Sequence, residues 1–135
     1  RRVIQLEPDN YEAQRNLAMA YYKWGRYSNA VTEFKKGLRL NTRDASCWYY
    51  LGLSYAHLGN TSKAMECLTK ANQLSPRESV YYSAIALLYE KDKNYEAALD
   101  NYQRAKKLDP NNGEANKGII RCCRKLGKNR CQEYR

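Results

Sequence analysis

Long apolar runs are missing from this chain: its uninterrupted apolar stretches are only a few residues long, so no membrane-spanning helix is expected. Histidine is almost missing too. His57 stands alone, and any Cys–His or Ser–His nucleophile would depend on that one imidazole at the end of a helical segment. No basic, apolar and small-residue series opens the chain, so no secretory leader is expected. Its first residue is not Met, and it begins inside a periodic pattern, so it reads as a fragment excised from a longer protein. A disulfide framework is also lacking. The five Cys are odd in number, Cys47 and Cys67 fall inside helical patterns, and the adjacent Cys122 and Cys123 could bridge only with strain. Free thiols fit a reducing compartment, and the expected location is cytoplasmic. Cys122-Cys123 followed by Cys131 does not have the spacing of a zinc site, so neither a metal nor another cofactor is expected. Gly113 and Gly118 are spaced as in a phosphate loop, but Ile119 stands where its Lys is required. The chain is therefore read as non-enzymatic.

What is present is a 135-residue chain, 43% hydrophobic and 28% charged, which places it among globular rather than disordered sequences. It carries 13 Tyr against one Phe, and a formal charge of +10. Tyr buries a large ring while keeping a polar tip for water or a partner. Seven Lys/Arg against two Glu lie between Gly113 and Arg135, which is half of the net charge. Such a balance favours an acidic partner.

A period of 34 residues organises the chain. That offset aligns Leu6, Leu40, Leu74 and Leu108, and then Pro8, Pro76 and Pro110, with Thr42 in the remaining slot. It aligns Leu17, Leu51, Ile85 and Ile119; Tyr21, Tyr55 and Tyr89; and Ala30, Ala64 and Ala98. Gly25, Gly59 and Gly127 share a register that Lys93 interrupts. Each unit reads as two helices. Trp48, Leu51, Gly52 and Tyr55 form one stripe at helical spacing, and Ala64, Leu68 and Ala71 form a second after the Gly59-Asn60 break. Asn10, Asp44 and Asn112 are expected to cap first helices, and Asn60 and Asn94 second helices. Small residues at Ala18, Gly52 and Ala86 would let paired helices approach closely.

The series Trp48-x-x-Leu51-Gly52-x-x-Tyr55, continued by Ala64, Leu68, Ala71 and Pro76, resembles the tetratricopeptide repeat almost slot for slot. The resemblance covers nearly the whole chain. Its departures are Gln14 at the Trp slot, Gly37 for Ala, Thr42 for Pro and Lys93 for Gly. It implies an all-α fold, an α-solenoid of helix-turn-helix units in a right-handed superhelix whose first helices line a concave groove. Full units are expected at 11–44, 45–78 and 79–112. Residues 1–10 would be the tail of a preceding repeat, 113–127 a capping or partial-repeat helix, and 128–135 a basic tail. Chaperone-binding members of the family hold their partner's terminal carboxylates in a clamp of Lys, Asn and Arg. Those slots fall here on Arg15, Met19, Tyr50, Val80 and Ala84, of which only Arg15 could hold a carboxylate, so a chaperone-tail clamp is not expected.

First-helix residues turned away from the packing stripe would line the groove. Its peptide-binding residues are expected to be Arg15, Asn16, Met19 and Tyr22 in the first unit and Tyr49, Tyr50 and Leu53 in the second. Leu87, near Glu90 and Lys91, would serve in the third, and Lys117, Arg121, Arg124 and Lys125 in the last helix. Tyr22, Tyr49, Tyr50 and Leu53 would act as apolar anchors, with Arg15 and the last-helix cations engaging acidic flanks. The chain is thus read as a protein–protein interaction scaffold, an adaptor binding an acidic peptide or protein segment with apolar anchors. Self-assembly through the open end helices is one alternative, because Ile119, Ile120, Cys123 and Leu126 form a stripe with no following helix to cover it. A basic single-strand nucleic-acid binder is the other. Against the latter, Lys35, Lys36, Arg39, Arg104, Lys106 and Lys107 lie on second helices, several near C-termini where cations stabilise the helix dipole whatever the function.

Overall fold

The computed structural model describes residues 2–127, with side chains from residue 11 onward. Seven helices and no strand form among the described residues: α1 (Arg2–Lys23), α2 (Tyr27–Leu40), α3 (Ala45–His57), α4 (Thr61–Leu74), α5 (Ser79–Lys91), α6 (Tyr95–Leu108) and α7 (Gly113–Leu126). They divide into two compact units, one holding α1–α4 and the other α5–α7. The basic tail expected at 128–135, and Cys131 with it, lies outside the described residues.

Local chemistry accounts for most helix boundaries. Asp44 accepts a hydrogen bond from the Cys47 N–H, Asn60 from Lys63, Asn94 from Ala97 and Asn112 from Ala115, each satisfying a donor that the first turn leaves unpaired. The turns between paired helices need one residue in the left-handed region. Gly25 and Gly59 supply it at φ +81° and +85°, and Lys93 adopts φ +64° in the same slot with a Cβ to accommodate. At the N-terminus the structure differs from expectation. α1 runs unbroken from Arg2, so Asn10 lies inside a helix rather than capping one, and no break follows Pro8.

In the first unit α1 packs on α2, α2 on α3 and α3 on α4. Its core gathers Ala18, Ala30, Phe34, Leu38, Cys47, Leu51 and Cys67, with the Phe34 ring fully buried. Burial of one such side chain contributes about 1.5–3 kcal/mol. Gly52 is where α3 and α4 come closest: a methyl group there would stand 3.0 Å from Leu68 Cγ and 3.1 Å from the Ala64 carbonyl oxygen.

In the second unit α5 packs on α6 and α6 on α7. Ala86, Ala98, Leu99, Tyr102, Ala105, Ala115, Ile119, Cys122 and Cys123 form its core. The α7 stripe is rotated from the expected one. Ala115, Gly118, Ile119, Cys122 and Cys123 are its buried residues, at i, i+3, i+4, i+7 and i+8, while Ile120 is 50% exposed. Cys122 is fully buried.

Candidate functional site

Two clusters collect the residues of interest, one in each unit. In the first unit they are aromatic. Tyr22, near the end of α1, meets Tyr50 of α3 edge-on with ring centroids 5.3 Å apart, and Tyr49 meets Tyr50 at 4.9 Å. Tyr22 also meets Tyr27 at 5.6 Å, and Tyr27 stacks on the His57 imidazole at 4.2 Å with the planes 6° apart. Edge-on and stacked rings of this kind gain from the alignment of ring quadrupoles as well as from burial. Burial, with Tyr27 and Tyr50 close by, raises the Tyr22 hydroxyl above its ordinary pKa. Tyr22, Tyr49 and Tyr50 are thus brought together as the sequence suggested. Tyr50 also lies parallel to the buried Phe34 ring at 6.3 Å, so it is a core contact as well as a surface one.

Arg15 is committed elsewhere. Its Nε lies 3.5 Å from Asp44, and its guanidinium donates to the Ser46 hydroxyl at 3.4 Å. Tyr11 donates to the same carboxylate, and Ser46 donates at 2.9 Å. Burial alone would raise the Asp44 pKa, but the hydrogen bonds from Tyr11, Ser46 and the Cys47 N–H, with Arg15 beside them, hold it below the ordinary value. This node fastens α1 to the start of α3. Met19 packs half-buried against the first core, Leu53 is half-buried on α3, and Asn16 is exposed.

In the second unit α5, α6 and α7 enclose an open cleft of about 400 Å³ lined by Leu87, Glu90, Lys91, Tyr95, Arg121, Arg124 and Lys125. Leu87, Arg121, Arg124 and Lys125, named from sequence, all converge there, whereas Lys117 is exposed on α7 outside the lining. Arg121 does not point a free charge into the cleft. It grips Glu90 with two bonds, Nε to Oε2 at 2.6 Å and Nη2 to Oε1 at 2.9 Å. The Tyr102 hydroxyl donates to Glu90 at 2.7 Å and accepts from Arg121 at 3.2 Å. Arg121 is thus tied to a carboxylate of the chain itself, while its side chain stays 41% exposed in the cleft lining. The Arg121 bonds, helped by Tyr102, hold Glu90 below the ordinary carboxylate pKa despite burial, and burial beside Glu90 raises the Tyr102 hydroxyl.

With Glu90 and Arg121 cancelling, Lys91, Arg124 and Lys125 leave the cleft with three cations over an apolar floor of Leu87 and Tyr95. Lys125 Nζ sits 5.9 Å from the centre of the Tyr95 ring, within cation–π range. None of the three cations has an ion-pair partner among the described residues. Tyr95 and Tyr102 were missed from sequence because both belong to a second helix, whose inward and sideways faces the groove argument did not consider.

The thiols are protected. Burial pushes Cys47 up to about 12 and Cys67 and Cys122 up to about 11. Arg121 beside Cys122 favours the thiolate, but desolvation outweighs a guanidinium already paired with Glu90. No group of three or more His, Cys, Asp or Glu able to hold a metal occurs among the described residues, and no described helix is long and apolar enough to cross a membrane.

Sequence profiles of the tetratricopeptide repeat match residues 45–78 and 79–112, and a further TPR repeat profile matches residues 20–59. The chain belongs to the tetratricopeptide repeat family. Solved structures share its all-α solenoid class of fold. The first TPR domain of Spaghetti (RPAP3), solved bound to the HSP90 peptide SRMEEVD, is 22% identical with a TM-score of 0.82, over 86% of this chain and 92% of that one. MamA is 22% identical with a TM-score of 0.87, covering 98% of this chain and 78% of its own. The Yersinia enterocolitica type III secretion chaperone SycD, solved with a peptide of the translocator YopD, is 18% identical with a TM-score of 0.81, over 88% and 96% of the two chains. No curated protein matches the sequence.

Proposed function

We propose that this chain is a non-enzymatic interaction scaffold that binds an acidic peptide segment with apolar anchors. The observation that carries the reading is the cleft of the second unit. Lys91, Arg124 and Lys125, which have no ion-pair partner among the described residues, surround Leu87 and Tyr95, while the one carboxylate in the lining is paired with Arg121. An apolar side chain on that floor would place neighbouring Asp or Glu side chains within reach of Lys91, Arg124 and Lys125. The Tyr22, Tyr49 and Tyr50 cluster, with Leu53, offers rigid aromatic surface in the first unit. Two solved relatives in fold hold peptides, one of them the acidic SRMEEVD, which supports a peptide as the class of ligand. A two-carboxylate clamp is not the mode proposed here, since Arg15 alone among the clamp slots could take part and it is engaged by Asp44.

The test uses a fluorescein-labelled ten-residue peptide of Asp and Glu carrying two Leu, followed by fluorescence anisotropy. Wild-type chain should bind it, more weakly as salt rises from about 50 to about 300 mM. Arg124→Glu/Lys125→Glu should weaken binding by about ten-fold or more, mainly through slower association. Equal affinity in that variant, or displacement of the peptide by random single-stranded DNA at equal concentration, would discard the reading. Tyr49→Ala is the suitable probe of the aromatic cluster, because Tyr50→Ala would also remove a ring packed on Phe34.

A further inference from the structure

A second groove of about 390 Å³ opens among α2, α3 and α4 of the first unit, formed by residues that the reading above does not use. Its floor is apolar. Leu51 is buried there, Tyr55 is half-buried, and the half-buried Trp48 indole forms the widest surface. Its walls are cationic on both sides, with Lys35 and Arg39 one turn apart on α2 and Lys63 on α4, against the single carboxylate of Glu66. No ion pair engages those three cations among the described residues.

Trp48 does more here than hold a helix start in place. Its Nε1 donates to the Thr42 carbonyl at 3.0 Å. Two repeats further on, at equivalent positions, Asn116 makes the same tie to the Pro110 carbonyl at 3.2 Å. An Asn therefore suffices for the hydrogen bond, and the indole adds a flat apolar face fixed in orientation by that bond. A fixed aromatic wall loses little side-chain entropy when a ligand covers it.

We propose that this groove is a second docking site, which seats one large apolar side chain of an acidic peptide on Trp48 while Lys35, Arg39 and Lys63 hold carboxylates on either side of it. The placement of the cations favours a peptide over a free aromatic acid. They lie on two opposite helices, so charge is wanted on both flanks of the anchor, and a small aromatic acid carries a single carboxylate. A groove of this size has room for one large apolar side chain together with its flanking residues.

The chain has two Trp, so its indole N–H signals are two. Trp24 is 69% exposed and lies outside the groove, which makes it an internal control. The ¹⁵N-labelled chain is titrated with acetyl-Glu-Asp-Phe-Asp-Glu-amide. Expected is a saturable movement of the Trp48 signal with Trp24 unmoved. By calorimetry, Lys35→Glu/Arg39→Glu should weaken this step by about ten-fold or more with an unchanged circular dichroism spectrum. Trp48→Asn retains the tie to Thr42 and should lose the step altogether, whereas Arg124→Glu/Lys125→Glu should leave it intact. A Trp48 signal that stays fixed at millimolar peptide overturns the proposal, as do equal movements of both indoles or unaltered affinity in the charge-reversed variant. Benzoate moving Trp48 as far as the peptide does would assign the groove to free anions and overturn it equally.

Discussion

Two helical glycines should respond to the same substitution with opposite signs. Gly118 lies in the middle of α7 against the ring of Tyr102, and a methyl group there would stand 2.3 to 2.5 Å from three ring carbons. Ordinary carbon contacts are about 3.5–4.0 Å, so the ring must retreat by more than about 1 Å. Tyr102 is 1% exposed, and its hydroxyl is bound to both Glu90 and Arg121, so retreat costs packing and hydrogen bonds together. Gly118→Ala gains about 1 kcal/mol of helix propensity. Against this stand about 1–3 kcal/mol of overpacking and about 1.5–3 kcal/mol for a hydrogen bond to a charged group. The net loss is about 1.5–5 kcal/mol. Gly37 in α2 is the contrast. A methyl group there meets nothing nearer than Gln14 Cγ at 3.7 Å, an ordinary contact, so Gly37→Ala should stabilise by about 0.5–1 kcal/mol. Urea unfolding followed by circular dichroism gives the sign for each variant. Hydrogen exchange of α7 peptides locates the Gly118 effect in the second unit, since repeat arrays open locally as well as globally. A Gly118→Ala variant as stable as wild type, with α7 protection unchanged, would refute the close approach of α7 to Tyr102.

Further outcomes follow from the same geometry. Lys93→Gly should raise stability by about 0.5–1 kcal/mol in urea melts, because a left-handed residue with a Cβ carries about 1–2 kcal/mol of strain and Gly gives back part of that gain through a freer unfolded chain; a loss of stability would show that Lys93 makes a contact worth more than its strain. The pH profile should respond to Glu90. Its folded pKa is lowered, so its contribution is fully present above the unfolded carboxylate value of about 4.3 and is lost as pH falls through the folded value. Glu90→Gln should therefore be less stable than wild type at pH 7, with the two curves converging at acid pH, below the folded carboxylate value. Curves that stay parallel down to that pH would remove the Glu90–Arg121 pair from the acid response.

Much of the local structure of both units is legible along the chain because it arises within a few residues. Asp44, Asn60, Asn94 and Asn112 cap their helices through contacts three positions away, and the left-handed turns at Gly25, Gly59 and Lys93 follow from the 34-residue register. The continuation of α1 through Pro8 was not legible, since Pro8 shares its register slot with Pro76 and Pro110, which lie between helices. Site residues divide in the same way. Periodicity could say that Tyr22 and Tyr50, or Leu87 and Lys125, share a kind of face, and the structure brings each pair into one cluster.

Pairing is another matter. Arg121 and Glu90 are 31 positions apart, as are Arg15 and Ser46, and a 34-residue average over slots holds no information about which cation finds which carboxylate. That choice depends on side-chain reach across packed helices, and it pairs Arg121 with Glu90. The same reach built the groove over Trp48 from three helices whose cations, along the chain, look like ordinary solvated Lys and Arg. The order of residues determined the repeat, the helix ends and the chemical character of each face, because these depend on contacts within a turn or two of helix. Only the tertiary structure decided which charges pair inside the protein and which stay exposed, because that balance is struck between side chains far apart in sequence.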